Sequence, residues 1–376
     1  MQLADPGFNL SGQLTSQALA PDWPGGQWWH WLVFVSIILG FSLLMDVVFI
    51  LFERRGVARF QLRPGPNRAG FEGILQAFAD LFKALLKEDI VPAKADKWVH
   101  WLAPIIAAMP GMAVFAVVPL FGDGALLADL NVGILYVFAI GSVGMVGVFM
   151  AGWGSSNKYS LIAATRGIAQ MVSYEIPLVL SLVGVVMVTG SMSLNTIVNS
   201  QSIPYILLQP LSAMVFFIAM TAEINRSPFD MLEAEGELIA GYHTEYSGIK
   251  FALFYVAEYG HAVVGSALFA TFFLAGWKGP WLPPILWLII KMLIVFFVGF
   301  WIRATLPRLR VDQLMGFAWK FLLPVAVINL FVIALQTLFW PEGLIWVLIF
   351  VNFAIMGVLI LLWSKMFKLG GGRVEV

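Results

Sequence analysis

Residues 205–277 read YILLQPLSAMVFFIAMTAEINRSPFDMLEAEGELIAGYHTEYSGIKFALFYVAEYGHAVVGSALFATFFLAGW. Two apolar runs, one ending at Ala222 and one beginning at Phe251, bracket a polar stretch, Thr221–Tyr246. That stretch carries Glu223, Asp230, Glu233, Glu235, Glu237 and Glu245, and the run after it holds a further carboxylate, Glu258. Carboxylates beside or within hydrocarbon are costly, so a concentration of them there points to an ion or proton route. A solvated acidic loop is the competing reading. Either way, an apolar run, a charged loop and a second apolar run describe membrane helices joined at the bilayer surface.

The rest of the chain repeats this pattern. A membrane-spanning helix needs about 20 apolar residues, and runs of suitable length fall at 28–52, 98–120, 133–153, 168–190, 205–222, 251–277, 284–302, 317–340 and 344–364. The fifth is the weakest, because it is short and Gln209 and Pro210 interrupt it. Charged residues make up 12% of the 376 positions and hydrophobic residues 60%, against roughly 25% charged in a soluble domain. The fold class expected is therefore an all-α integral membrane protein of eight or nine transmembrane helices, one multi-spanning domain over residues 1–376. It should also carry an amphipathic interfacial helix and cytoplasmic loops.

Orientation follows from the basic residues. With the N-terminus outside, the inner segments are 53–97, 154–167, 223–250, 303–316 and 365–376. They hold all but three of the 22 lysines and arginines; the exceptions are Lys278, Lys291 and Lys320. The positive-inside rule then puts the C-terminus and the acidic stretch in the cytoplasm. Trp23, Trp28, Trp29, Trp31, Trp98, Trp101, Trp340 and Trp363 stand near span ends, where interfacial aromatics belong. Met1–Trp23 lacks a basic n-region, so no cleaved signal peptide is expected.

Composition also excludes chemistry. Net charge is zero, which argues against nucleic acid as a partner. The absence of cysteine excludes disulfides, Fe–S clusters and thiolate metal sites in this chain. His30, His100, His243 and His261 show no HExxH-like pairing, so no metal site is expected.

In the first inner segment, Pro64, Gly65, Pro66 and Gly70 make a turn-rich linker. Beyond it, Ile74, Leu75, Phe78, Leu81, Phe82, Leu85 and Leu86 recur at helical spacing, opposite Gln76, Asp80, Lys83 and Lys87. The spacing predicts a helix over about 74–87, too short and too charged to span, lying along the inner interface. Arg54, Arg55, Arg59, Arg63 and Arg68 precede it, and holding anionic lipid headgroups accounts for most such clusters. Within the spans the ionisable residues are Asp46, Glu175, Glu258 and Lys291. Glu175 and Glu258 both begin from inner loops and should share a depth below the acidic stretch. A proton relay and a structural ion pair are both open for them, and Asp46 is close enough to the inner end of its span to snorkel.

Five stretches are specific enough to carry a resemblance: ERRGVARFQLRPGPNRAG (53–70), ADLFKALLKED (79–89), GWGSSNKYSLIAATRGIAQMVSYE (152–175), AEINRSPFDMLEAEGELIAGYHTEYSGIKF (222–251) and WIRATLPRLRVDQLMGFAWKFLLP (301–324). In order, over roughly residues 30 to 340, they resemble the membrane subunit of respiratory complex I that meets the peripheral arm. That family contains the H subunit of bacterial NADH:quinone oxidoreductase and mitochondrial NADH dehydrogenase subunit 1. The resemblance implies an all-helical subunit of a bacterial inner membrane at the heel of an L-shaped complex. Its substrate would be a quinone, ubiquinone or menaquinone, with FMN and Fe–S clusters confined to partner subunits. The implied partners are the peripheral-arm quinone-site subunits, small membrane subunits and antiporter-like subunits, besides the lipid bilayer.

Motif by motif, the resemblance implies a quinone channel lined by Arg54, Arg63, Asp80, Phe229, Asp230, Arg303 and Arg308. It implies a proton-coupling set of Glu175, Glu223, Glu233, Glu235, Glu237, Glu245 and Glu258. No catalytic residue and no metal ligand is implied in this chain, and Asp46 and Lys291 fall outside the motifs. Two other classes compete. A standalone ion transporter would be expected to show related halves, and no internal repeat is visible. A membrane anchor of a ferredoxin-dependent or hydrogenase-type complex would share the motifs and differ in its partners.

Overall fold

Hydrocarbon offers no hydrogen-bond partner for the backbone, so apolar runs that cross it must satisfy every N–H and C=O within themselves, as helices do. The computed structural model describes residues 28–122, 128–233, 235–339 and 345–366. Met1–Trp23, Trp340 and the tail from Phe367 onward lie outside the described residues, as do the side chains of Trp28, His30, Trp31, Glu235, Trp363 and Lys365. Among the described residues the regular structure is entirely helical.

The helices, in order, are α1 (Trp28–Phe60), α2 (Gln76–Leu86), α3 (Lys97–Ala113), α4 (Gly133–Gly154), α5 (Lys158–Thr189), α6 (Leu194–Ser200), α7 (Tyr205–Leu208), α8 (Pro210–Glu223), α9 (Glu235–Leu238), α10 (Gly248–Phe273), α11 (Pro284–Thr305), α12 (Val311–Phe317), α13 (Leu323–Phe339) and α14 (Ile345–Met366). A π-helical turn, Ala318–Leu322, joins α12 to α13. Seven helical stretches among the described residues are long and apolar enough to cross a membrane, and Pro210–Glu223 and Val347–Leu361 are shorter apolar helices.

Local chemistry sets where these helices start and stop. Asp96 caps α3 by accepting from the backbone N–H groups of Trp98 and Val99, and Asn157 caps α5 by accepting from Tyr159, satisfying N–H groups that have no partner inside the helix. Capped at Asn157, α5 begins ten residues before the apolar run that marks it in the sequence. Likewise α1 continues past residue 52 to Phe60, so Glu53, Arg54, Arg55 and Arg59 are helical rather than part of a loop. Glutamate and arginine are good helix formers, and an apolar window cannot see such extensions. Near residue 209 the apolar run breaks into α7 and α8, because Pro210 has no N–H to donate. Gln209 covers the break by donating its side-chain amide to the Gly184 carbonyl at 3.2 Å.

Helix α10 is the hub, with α1, α2, α3 and α11 packed around it. Every residue from Ala262 to Phe273 is buried, as expected of a helix that is apolar all round. Helix α2 is the opposite case and has no buried residue. Its polar face turns to the bundle, where Arg54 pairs with Asp80 at 2.5 Å. Phe78, Leu81, Phe82 and Leu85 point outward and exposed.

Candidate functional site

The acidic stretch does not stand out in solvent. Leu232, Leu238, Tyr242 and Tyr246 are buried in a small core with Ala163, Ala164, Phe254 and Ala257, folding the segment back against α5 and α10. Gln170 of α5 pins its start, donating its amide to the carbonyls of Ala222 at 2.6 Å and Phe229 at 2.7 Å. Its far end is held where Tyr246 stacks on the buried His100 ring at 3.9 Å. Asn157 donates to Glu245 at 2.6 Å. Between these anchors Gly241 adopts φ +69°, and a Cβ there would overlap the Leu232 carbonyl oxygen. Gly241→Ala combines left-handed strain of about 1–2 kcal/mol with overpacking of about 1–3 kcal/mol. The expected result is faster hydrogen exchange across residues 232–246 in purified complex; unchanged exchange would show that the loop accommodates the methyl.

The folded-back segment borders an open cavity of about 810 Å³, inside the size range of small-molecule sites. One wall is the last part of α1, with Glu53, Arg54, Val57 and Phe60, followed by the turn from Arg63 to Pro66. The opposite wall is one face of α10, bearing Tyr255, Glu258 and Tyr259, and Arg303 of α11 completes it. Arg226 and Glu233 enter from the loop.

Arg226 organises the inner end. Its Nη1 lies 2.9 Å from Glu53 and its Nε lies 2.9 Å from Glu258, and its guanidinium sits 4.4 Å from the centre of the Tyr259 ring. Arg303 also pairs with Glu53, whose side chain is only 5% exposed. Two arginines on one buried carboxylate, and one arginine across two carboxylates, compensate charges that would be prohibitive singly. A rigid guanidinium fork suits this bridging better than a lysine ammonium.

The expected site residues divide into three groups. Arg54, Arg63, Arg303, Glu233 and Glu258 line the large cavity, and Asp80 reaches its edge through Arg54. Burial raises the Asp80 pKa, but hydrogen bonds from Arg54 and Gln76 outweigh this and hold it below the usual range. Glu223 lines a smaller cavity of about 50 Å³ together with Glu233 and Glu258, and Glu175 is close enough to Glu223 for their charges to interact.

The remaining residues lie elsewhere. Phe229 is buried against Tyr174 at 5.4 Å between rings, because the Pro228 carbonyl is tied to Leu309 N–H and turns the segment inward. Asp230 is half-buried with one carboxylate oxygen unpartnered. Arg308 faces Met231 and Glu237. Glu237 pairs with Arg166 at 2.7 Å, which holds its carboxyl below the usual range. Glu245 is engaged by Asn157.

Sequence reasoning did not single out Glu53, Arg226, Tyr255 or Tyr259. Glu53 and Arg226 stood inside the quoted motifs, as the first letter of ERR and the last of AEINR, and Tyr259 directly follows Glu258. Lys291 turns out to tie down the loop that follows α10, donating to the carbonyls of Gly276 and Lys278 at 2.7 Å each. Asp46 is 3% exposed, and neither of its carboxylate oxygens has a hydrogen-bond partner.

Comparison with known proteins agrees with this architecture. A family model described as NADH dehydrogenase matches residues 32–334. The H subunit of NADH-quinone oxidoreductase from Dehalococcoides mccartyi strain CBDB1 is 57% identical over 349 residues, covering 93% of this chain and 99% of that one. The corresponding H subunit from Brevibacillus brevis is 49% identical, covering 84% and 95%. That from Geobacillus sp. strain WCH70 is 48% identical, covering 83% and 97%. The bundle of long apolar helices and the match over most of its length together show that this chain belongs to the family of NADH-quinone oxidoreductase H subunits, membrane-helical components of an electron-transport complex, respiratory complex I.

Proposed function

We propose that the chain forms the membrane part of a quinone-access channel and couples quinone reduction to proton movement through its carboxylates. The observation that carries this reading is the 810 Å³ cavity, which joins arginines from α1 and α11 to the buried group of Glu53, Arg226, Glu258 and Glu233. A quinone gains two electrons and two protons on reduction and passes through anionic forms. Preoriented guanidinium groups in a site sheltered from water stabilise such charge. The same charge, arriving next to Arg226, competes with Glu53 and Glu258 for its field and alters their affinity for protons. Electrons come from partner subunits carrying FMN and Fe–S clusters, because this chain has no cysteine to hold a cluster.

In this reading the cytoplasm faces the acidic loop and the C-terminus, and the membrane is the bacterial inner membrane. The peripheral-arm quinone-site subunits cover the mouth of the cavity, while small membrane subunits and antiporter-like subunits lie beside the bundle. The relatives described above are named for NADH and quinone, which supports this assignment over an anchor for a ferredoxin-fed or hydrogenase-type complex.

A photoreactive quinone analogue, irradiated in the intact complex, should label residues 53–66 and 255–259 and be displaced by unlabelled quinone. Labelling confined to other segments would overturn the channel assignment. In the same preparation Arg54→Ala should raise the quinone KM several-fold, whereas exposed ion pairs such as Arg54–Asp80 contribute only about 0–1 kcal/mol to stability. Unchanged KM and kcat would leave Arg54 with the lipid headgroup role alone.

A further inference from the structure

We propose that His261 relays protons at the waist between two small internal cavities, a role that rests on the carboxylate route proposed above. His261 stands three residues after Glu258 on α10, one turn further along the same face. Two cavities of about 50 Å³ each meet at its ring. The first is shared with Glu233, Glu258, Tyr242 and Glu223, and the second with Glu223 and apolar side chains, Leu178 and Leu268 among them. Each has room for at least one water. His261 and Glu223 are the titratable groups common to both.

The tautomer follows from geometry. Nδ1 lies 2.6 Å from the Ala257 carbonyl oxygen, which can only accept, so Nδ1 carries the hydrogen and Nε2 presents a lone pair. Space around Nε2 is provided by α4, where Gly141 and Gly144 lie on one face. A Cβ at Gly144 would stand 3.1 Å from His261 Nε2, while one at Gly141 would stand 3.9 Å from a Glu223 carboxylate oxygen. Any side chain larger than hydrogen at 144 crowds the one free nitrogen.

Because Nδ1 is committed to a carbonyl, the ring cannot pass a proton from one nitrogen to the other. The same nitrogen must accept and release it. Nε2 takes a proton from a water in the first cavity, as that water is reprotonated from Glu258 or Glu233. The imidazolium then returns the proton from Nε2 to a second water, which passes one of its own protons to the Glu223 carboxylate lining both cavities, and the neutral tautomer is restored. Charge is conserved at each transfer, and no group other than water is required.

The test uses intact complex in proteoliposomes, with NADH oxidation by a soluble artificial acceptor as the control for assembly. A proton-transfer group is worth roughly 10²–10⁴-fold. Glu223 also reaches both cavities, so His261→Gln and His261→Ala should lower quinone reduction and proton pumping together by about 10-fold. Added imidazole should restore His261→Ala, whereas pyrrole, of the same size without a basic nitrogen, should not. Equal rescue by pyrrole means that the ring only fills space, and the relay is overturned. Normal turnover and pumping in His261→Gln beside impaired Glu223→Gln and Glu258→Gln would remove His261 from the route and leave the route standing. Normal pumping in all three would remove the route itself. Should the His261 variants not assemble, Gly144→Ala crowds Nε2 with the ring intact, and unimpaired pumping in that variant counts against the relay.

Discussion

Arg226→Met is expected to abolish quinone reduction in assembled complex while NADH oxidation by a soluble acceptor continues. The side chain is held 2.9 Å from both Glu53 and Glu258. Removing the cation leaves a buried carboxylate pair without its common partner, a cost of about 3–5 kcal/mol for breaking a buried ion pair. For the reaction itself, losing one preorganised donor that faces developing charge lowers kcat by about 10²–10³-fold, and a fall of that size is expected. Arg303 remains on Glu53, so the larger loss falls on Glu258. Adding Glu258→Gln to Arg226→Met should recover part of the lost stability of the complex but not its turnover, because the neutral amide no longer needs the cation, and a double-mutant cycle on melting temperature then measures the coupling directly. Wild-type quinone reductase rates in assembled Arg226→Met would show that the guanidinium neither binds nor tunes the site.

The second large effect concerns Glu233 and pH. Burial, with the neighbouring carboxylates of Glu258 and Asp230, outweighs Arg226 and Arg303 and pushes the Glu233 carboxyl up from an ordinary 4.5 to about 8. The folded loop therefore binds a proton that the released loop gives up near pH 4.5. Between pH 4.5 and about 8 the folded form holds more protons, so the docking of the loop weakens as pH rises through that window. Hydrogen exchange across residues 228–246 should accelerate between about pH 5 and 8, after correction for the intrinsic pH dependence of exchange. Glu233→Gln keeps a neutral side chain of the same shape, so its corrected exchange profile should be flat over this range. Proton pumping should fall by about 100-fold or more, within the roughly 10²–10⁴-fold contribution of a proton-transfer group. A variant with the wild-type exchange profile and undiminished pumping would free Glu233 of both roles.

These two residues show how differently sequence and structure inform the site. Glu233 was legible as one of a run of carboxylates between two apolar segments, where charge is costly and therefore conspicuous. Arg226 was not, although it stood in a quoted motif. A single arginine at the foot of an apolar run reads as an ordinary positive-inside marker. Its importance comes from Glu53, 173 positions away, and no local pattern encodes that separation. The same reasoning moved Phe229 and Arg308 out of the cavity. Motif membership puts residues in one neighbourhood, but whether a side chain faces the cavity or the core depends on how the backbone turns.

The chain's apolar periodicity, its cysteine-free composition and its one-sided lysines and arginines determined that it is a bundle of membrane helices with an acidic loop at one end. Hydrocarbon enforces these features locally, since each run must be apolar and helical by itself. The tertiary structure decided what Thr221–Tyr246 does there. Packing on α5 and α10 folds a loop that the sequence left between a proton route and a solvated surface back onto the bundle, where Arg226 and Glu233 enter the cavity. It also sets Arg226 between two glutamates and leaves His261 facing Gly144. Those outcomes depend on distances between helices, and a linear pattern of residues does not carry them.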